Sequence, residues 1–199
     1  GVPDLPVRVL DHRRFTFSAA IAERFRSGNA FLVGDAAHRV TPRGGTGMNT
    51  AIADGFNLAW KLSWVLNGWE SDSLLDTYET ERRPVAEHNL ARSVDPMGSR
   101  RSVLDEVRFD LGGRLPHLWI DTPAGRISSL DLLGPGLTRL AAGRLSSQPD
   151  DQPSLPPVTD HRLDHLTAAA LGADQPGGVL LRPDGVVWDP PSSAALEAA

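Results

Sequence analysis

The chain has 199 residues and a mass of 21.4 kDa, enough for one large domain or two small ones. Its hydrophobic share of 40% and charged share of 23% are ordinary globular usage, which excludes a disordered or collagen-like chain, and no apolar run approaches the ~20 residues of a membrane-spanning helix. A net charge of −5 argues against nucleic acid or an anionic membrane as partner, and with no cysteine there is no disulfide, thiolate nucleophile or zinc–thiolate site. Since no leader-like segment precedes the first strand-like stretch, a cytoplasmic location is expected.

From the amino end, Val7–Leu10 and Arg14–Phe17 read as strands with partial alternation, and Ser18–Phe25 as a short helix or a strand connection. Ala30–Val33, between Gly28 and Gly34, reads as a buried strand of a parallel sheet covered on both faces. The spacing predicts a helix over Met48–Asn67, about 30 Å long, stopped by Asn67-Gly68. Its expected buried face is Ile52, Gly55, Phe56, Ala59, Leu62, Ser63 and Leu66, widened by Trp60 and Trp64 as core packing. A second helix is expected from Ser73, with Asp76 completing a capping box. Pro84 should kink it or start a new turn, and it should stop before Pro96. Ser102–Phe109 reads as a further short helix.

From Gly112 onward short β-like runs dominate: Leu130–Leu133, Leu137–Leu140, Pro157–Thr159 and Val179–Arg182. The last is expected to form a hairpin with Val186–Trp188 across a Pro183-Asp184-Gly185 turn. Arg162–Leu171 reads as a helix, Ser146–Pro156 as a loop and Pro190–Ala199 as a tail.

The stretch that carries chemistry is Phe31-Leu-Val-Gly-Asp-Ala-Ala-His38, followed by Pro42-Arg-Gly-Gly-Thr-Gly-Met-Asn49. Asp35 falls at the carboxyl end of a strand, where open α/β sheets bind ligands. Gly44, Gly45 and Gly47 let a ligand touch backbone directly. The first N–H groups of the long helix, at Gly47, Met48 and Asn49, have no intrahelical partner and carry the positive end of the helix dipole. Such a site suits a small or planar group with partial negative charge, while a carboxylate beside it accepts hydrogen bonds from hydroxyls.

Gly34-Asp-Ala-Ala-His38, the Pro42–Asn49 loop, Asp54-x-x-Asn-Leu-Ala-Trp-Lys-Leu62 and Leu74-Leu-Asp-x-Tyr-x-x-Glu-Arg-Arg-Pro-Val-Ala86 closely resemble the class A FAD-dependent aromatic hydroxylases. The resemblance implies the C-terminal portion of a Rossmann-like FAD-binding domain (strand, Gly-rich loop, long helix) over 1–111. It implies a small thioredoxin-like α/β domain over 112–190, carried by Asp110–His117, Ser129–Gly134 and Val179–Gly185, and a tail over 191–199. It makes Gly34, Asp35, Pro42, Gly44, Gly45, Gly47, Met48 and Asn49 the cofactor contacts. Asp35 would bond the ribityl chain, Met48 and Asn49 N–H groups would face flavin N1 and the C2 carbonyl, and Pro42, the candidate catalytic-site residue, would edge the ring. The implied reaction hydroxylates an aromatic, phenolic or polyketide-like molecule with NAD(P)H and O2.

The family's G-x-G-x-x-G fingerprint, its Asp-Gly motif and most of its substrate-binding sheet have no counterpart here. The chain is therefore expected to be a fragment, a processed half or a split subunit that needs an N-terminal half. The alternative is a truncated protein that acts as a structural or interaction module without FAD. A homo-oligomer is left open by the sequence.

Other residues weigh toward plain roles. His38 reads as a packing or loop-bonding histidine rather than a general base. Arg43 is equally an anion contact or a solvated loop residue. His161 and His165 have i, i+4 spacing but no third ligand, so a surface helix is expected. Glu81-Arg82-Arg83 reads as an ion-pair cluster holding helix to sheet.

Overall fold

The structure, a computed structural model, describes residues 6–97, 114–143 and 156–188. The expectations for 102–109, 146–155 and 190–199 lie outside those residues. The architecture is mixed α/β.

Four two-residue strands come first. β1 (Ala20–Ile21) pairs antiparallel with β4 (His38–Arg39). β2 (Arg26–Ser27) pairs antiparallel with β3 (Ala30–Phe31) across a turn in which Gly28 takes φ +56°. The run 30–33 is therefore one arm of a small hairpin, not a strand of a parallel sheet. Leu32 is exposed, and its backbone is held by Phe25 O at 2.8 Å and by the Tyr78 hydroxyl at 2.9 Å. A continuous apolar run is buried on both faces only where neighbouring strands and helices cover it, and among the described residues none does. Val7–Leu10 and Arg14–Phe17 likewise form no strand, and Val7, Val9, Leu10, Phe15 and Phe17 are exposed. A strand exists only with a ladder partner, whatever its propensity.

α1 (Gly47–Leu66) confirms the long helix. It ends as expected: Gly68 takes φ +69°, its N–H donates to Val65 O, and Trp69 N–H donates to Trp64 O at 2.8 Å. Its buried stripe is the expected one only in part: Trp60 and Trp64 are buried and Leu62 packs on the core, as expected, but other positions are not. Ile52, Phe56, Ala59 and Leu66 are exposed, while Thr50, Asp54, Asn57 and Lys61 are buried together with Leu58, Trp60 and Trp64. Each of those four buried polar side chains has a specific bond or ion-pair partner, which is what makes their burial tolerable.

α2 (Thr77–Val94) runs through Pro84, which is exposed, and stops before Pro96. It is preceded by a 3-10 turn over Asp72–Asp76, so the expected capping box at Ser73 does not form; the Ser73 hydroxyl bonds that of Ser71 instead. Phe25, Ala37, Leu58, Tyr78 and Ala86 make the core between these helices and the small strands. Burial pushes the Tyr78 phenol well above its usual range.

The C-terminal part holds a hairpin of β5 (Trp119–Thr122) and β6 (Gly125–Ser128). It also holds a three-stranded sheet in the order β8–β7–β9, with β7 (Leu137–Ala142) parallel to β8 (Val158–Leu163) and antiparallel to β9 (Val179–Leu181). α3 (His165–Ala170) packs on β7, its amino end capped by the Asp164 carboxylate, which accepts from Leu166 and Thr167 N–H. The expected helix thus begins three residues late, because Arg162 and Leu163 belong to β8. Leu130–Leu133 is not a strand: Ser129–Leu132 is a 3-10 turn with a capping box between Ser128 and Asp131. The Pro-Asp-Gly hairpin is present. Gly185 takes φ +76°, Arg182 N–H donates to Val186 O at 2.8 Å, and Leu181 bridges Val187. The two parts meet at a further apolar cluster of Trp60, Trp64 and Leu137, with Trp69, Leu74, Val158, Leu180 and Trp188 packed on it.

Candidate functional site

β3 leads into a 3-10 turn over Gly34–Ala36. Gly34 takes φ +59°, and a Cβ there would lie 2.9 Å from Ala51 Cβ, so the turn presses directly on α1 and only glycine fits. Beneath it, the wholly buried Asp54 carboxylate accepts from Gly34 N–H at 3.3 Å, from Arg82 Nε at 2.7 Å, and pairs with His38 Nε2 at 2.5 Å. His38 is thus a buried structural partner, as the sequence suggested, and not an exposed base. Asp54 itself is the residue that sequence reasoning missed. A charge inside an amphipathic helix reads as solvent-facing, and the only signal was the facing Arg82, 28 positions away.

Asp35 points its exposure the other way, onto the wall of a cleft of about 750 Å3 that is also lined by Phe15, Val40, Thr41, Pro42, Gly45, Gly47, Met48, Ala51 and Ile52. The loop across it is a 3-10 turn over Pro42–Gly44, closed by Gly45 at φ +67° with its N–H on Pro42 O at 3.2 Å. Its base is tied to the end of α2: Thr41 N–H donates to Ser93 Oγ at 3.1 Å and Thr41 Oγ1 to Ser93 O at 2.5 Å. Gly47 packs so closely on Val40 that a Cβ would sit 2.9 Å from Val40 Cγ2. Thr50 N–H to Thr46 O is the first bond of α1, which leaves the N–H groups of Gly47, Met48 and Asn49 without an intrahelical acceptor.

The eight sequence-selected residues therefore fall in one neighbourhood. Asp35, Pro42, Gly45, Gly47 and Met48 line the cleft, Asn49 is exposed on the first turn of α1, Gly44 lies in the loop, and Gly34 sits beneath Asp35. The residues suit a planar, electron-rich group with a hydroxyl chain. A Cβ at Gly45 would meet nothing within 4 Å, so the loop's own wall leaves room. The Thr46 hydroxyl is buried with no protein partner, a polar atom left beside the free amides.

Elsewhere the expectations sort differently. Arg43 is exposed on the loop. His161 lies on β8 and His165 starts α3, so they do not share a helix face, and no group of three metal-binding side chains occurs among the described residues. Glu81, Arg82 and Arg83 do form ion pairs, with Lys61 and Arg182, Asp54, and Glu79 respectively. The Glu81 and Arg82 pairs tie α2 to α1 and to the C-terminal hairpin, while Arg83–Glu79 lies within α2. Burial pushes the Lys61 ammonium down to about 8 despite Glu81. Burial alone would raise the Glu81 carboxyl, but Lys61 and Arg182 hold it below its usual range.

Comparison with known proteins places this geometry. Residues 1–93 match an FAD binding domain family, and residues 109–199 match the family described as aromatic-ring hydroxylase, C-terminal. The chain is 35% identical to the tetracenomycin B2 monooxygenase-dioxygenase of Streptomyces olivaceus over 98% of its own length and 45% of that protein. It is 32% identical to a putative polyketide hydroxylase of Streptomyces halstedii over 94% of the chain and 45% of the relative. Among solved structures, aklavinone-11 hydroxylase in complex with FAD and aklavinone superposes with a TM-score of 0.71 at 31% identity, covering 91% of this chain and 44% of that one. The chain thus spans less than half the length of the relatives it matches. No helix among the described residues is long and apolar enough to cross a membrane. With two consecutive family matches, a shared fold and the glycine-lined cleft, the chain belongs to the class A FAD-dependent aromatic hydroxylases.

Proposed function

We propose that this chain forms the flavin-ring side of an FAD-dependent monooxygenase that hydroxylates an aromatic, phenolic or polyketide-like substrate with NAD(P)H and O2. It would act with the segment that its relatives carry outside the match, in the same polypeptide or as a second chain. When bound, the cofactor supplies the redox chemistry, and the protein binds and orients it. Asp35 accepts hydrogen bonds from the ribityl hydroxyls. The free amides of Met48 and Asn49 would hold the electron-rich N1 and C2-carbonyl edge of the ring, a preorganised electrostatic role. Pro42 edges the ring on the substrate side, with Gly34, Gly44, Gly45 and Gly47 allowing close backbone approach.

One observation carries this reading: Gly47 and Met48, whose helix-end amides have no intrahelical acceptor, line the same cleft as Asp35. The domain reading goes with it, a Rossmann-like FAD-binding portion over 1–111, a thioredoxin-like domain over 112–190 and a tail over 191–199. The β8–β7–β9 sheet with its parallel and antiparallel pairings supports the second domain. The exposed apolar line of Met48, Ile52 and Phe56 supports the incomplete first one, since a cleft wall of this kind is expected to be covered.

The test is flavin retention. Chain incubated with FAD and desalted should keep absorbance near ~450 nm, or gain it when supplied with the remaining segment. Asp35→Ala should weaken retention by roughly 1.5–3 kcal/mol, the loss of a charge-assisted hydrogen bond. A protein that stays colourless in both settings favours a structural or interaction module.

A further inference from the structure

The tip of a β-hairpin is ordinarily among the most exposed parts of a domain. Here Pro183, Asp184 and Gly185 are all buried, and Asp184 is only 8% exposed. We propose that the Arg182–Gly185 turn is a docking plug that fixes the C-terminal α/β unit onto α1 and α2, with Arg182 and Asp184 acting as positioning residues for the helix whose amino end borders the cleft.

The plug is held by charge and shape together. Arg182 forks onto Glu81 of α2, with Nη1 to Oε1 and Nη2 to Oε2 both at 3.0 Å. It also grips Asp184 in its own turn through Nε at 3.0 Å and Nη2 at 2.8 Å. Asp184 in turn accepts from two α1 side chains, Trp60 Nε1 at 3.0 Å and Asn57 Nδ2 at 3.3 Å. Lys61 Nζ completes the cluster 2.9 Å from Glu81. Two cations face two carboxylates, so the charges balance, and removing any one of them strands another. Apolar contacts close the edges. Arg182 lies over the Trp60 ring at 5.0 Å, Trp188 meets Trp64 edge-on at 5.7 Å, and Trp64 Nε1 donates to Pro135 O at 2.7 Å. The plug's bonds to α1 fall at Asn57 and Trp60, with Lys61 reached through Glu81 and Trp64 held by the neighbouring Trp188 and Pro135. α1 is one unbroken helix from Gly47, so anchoring it there sets the direction of its amino end about 20 Å away.

The plug itself is independent of any cofactor; its effect on the cleft rests on the flavin reading. The cofactor-free chain tests the first. Asp184→Ala should speed hydrogen exchange of α1 amides from Asn57 to Trp64 by roughly tenfold or more, shift tryptophan emission to the red and split thermal unfolding into two steps. Asp184→Asn, which keeps the acceptor shape, should fall between it and wild type. Arg139→Ala, which breaks an exposed pair with Asp160 on the same sheet, should leave α1 exchange unchanged. Wild-type exchange in Asp184→Ala overturns the plug. If that variant does not fold, wild-type exchange in Asp184→Asn overturns it. Where wild type retains FAD, Asp184→Ala should lower its affinity several-fold although no cleft residue is altered, and unchanged affinity overturns the positioning role. A wild type that retains no FAD, either alone or supplied with the remaining segment, sinks the flavin reading and leaves the plug to be judged by exchange.

Discussion

Both halves of α1 bury polar side chains, but they differ in how their large apolar ones are covered: Leu58, Trp60 and Trp64 of the second half are buried. Along the first half, the apolar side chains Met48, Ile52 and Phe56 face outward, at 73%, 64% and 45% exposure. Along the second half, Asn57 and Lys61 are buried, and Lys61 is wholly enclosed. The second half is sealed because α2 and the C-terminal hairpin bring Glu81, Arg182 and Asp184 to meet it. The first half buries Thr50 and Asp54 against α2 and the Gly34 turn, but its Met48, Ile52 and Phe56 face stays exposed, with Met48 and Ile52 lining the cleft. The partners that a helix face meets decide its burial; its own hydropathy is only a bias.

The sharpest way to break this contrast is at the boundary between the halves. Asp54→Ala removes a carboxylate that serves Gly34, His38 and Arg82 at once, and it leaves a buried cation uncompensated. A loss of about 3–5 kcal/mol is expected, read from denaturant unfolding. A loss below about 1 kcal/mol would show that the hub is not structural.

Lys61 tests the sealed half through pH. Folded, its ammonium releases its proton near pH 8, against an ordinary value of 10.5. Between these values the unfolded chain binds more protons, so the Lys61 contribution to stability rises with pH, by up to about 3 kcal/mol. The stability of Lys61→Met minus that of wild type, whatever its sign at pH 8, should therefore fall from pH 8 to 10.5. A difference flat across that window would place the amine in water.

Gly34→Ala probes the turn that carries Asp35. The positive φ and the approach to Ala51 Cβ should together lower stability by about 2 kcal/mol. An unchanged unfolding midpoint would mean that the turn is not pressed on α1. The smallest effect belongs to the open half: Ile52→Ser should change the stability of the chain by less than about 0.5 kcal/mol. A larger loss would reveal that the face is already covered.

Much of the site was legible before any coordinates. Gly34-Asp35 and the Pro42–Asn49 loop are read from local chemistry: glycines where backbone must turn or approach closely, followed by a helix start. That chemistry is contained within sixteen consecutive residues, and five of the eight selected there, Asp35, Pro42, Gly45, Gly47 and Met48, line one cleft. The end of α1 at Gly68 and the Pro-Asp-Gly turn were legible for the same reason. The strand at 30–33 was misread because its pattern describes a fully covered environment, which a small hairpin does not provide. The buried face of α1 was misread because its partners lie far away in sequence, with Glu81 24 positions and Asp184 127 positions from Asn57.

The sequence by itself determined the glycine-lined loop, the long helix behind it and the family pattern, because each rests on interactions between near neighbours along the chain. Only the tertiary structure decided that Asp54, Lys61 and Asp184 are interior residues. A charge is buried where partners meet it, and for these three the partners that close the site, Arg82, Glu81, Asn57 and Trp60, come from distant segments that no local pattern records.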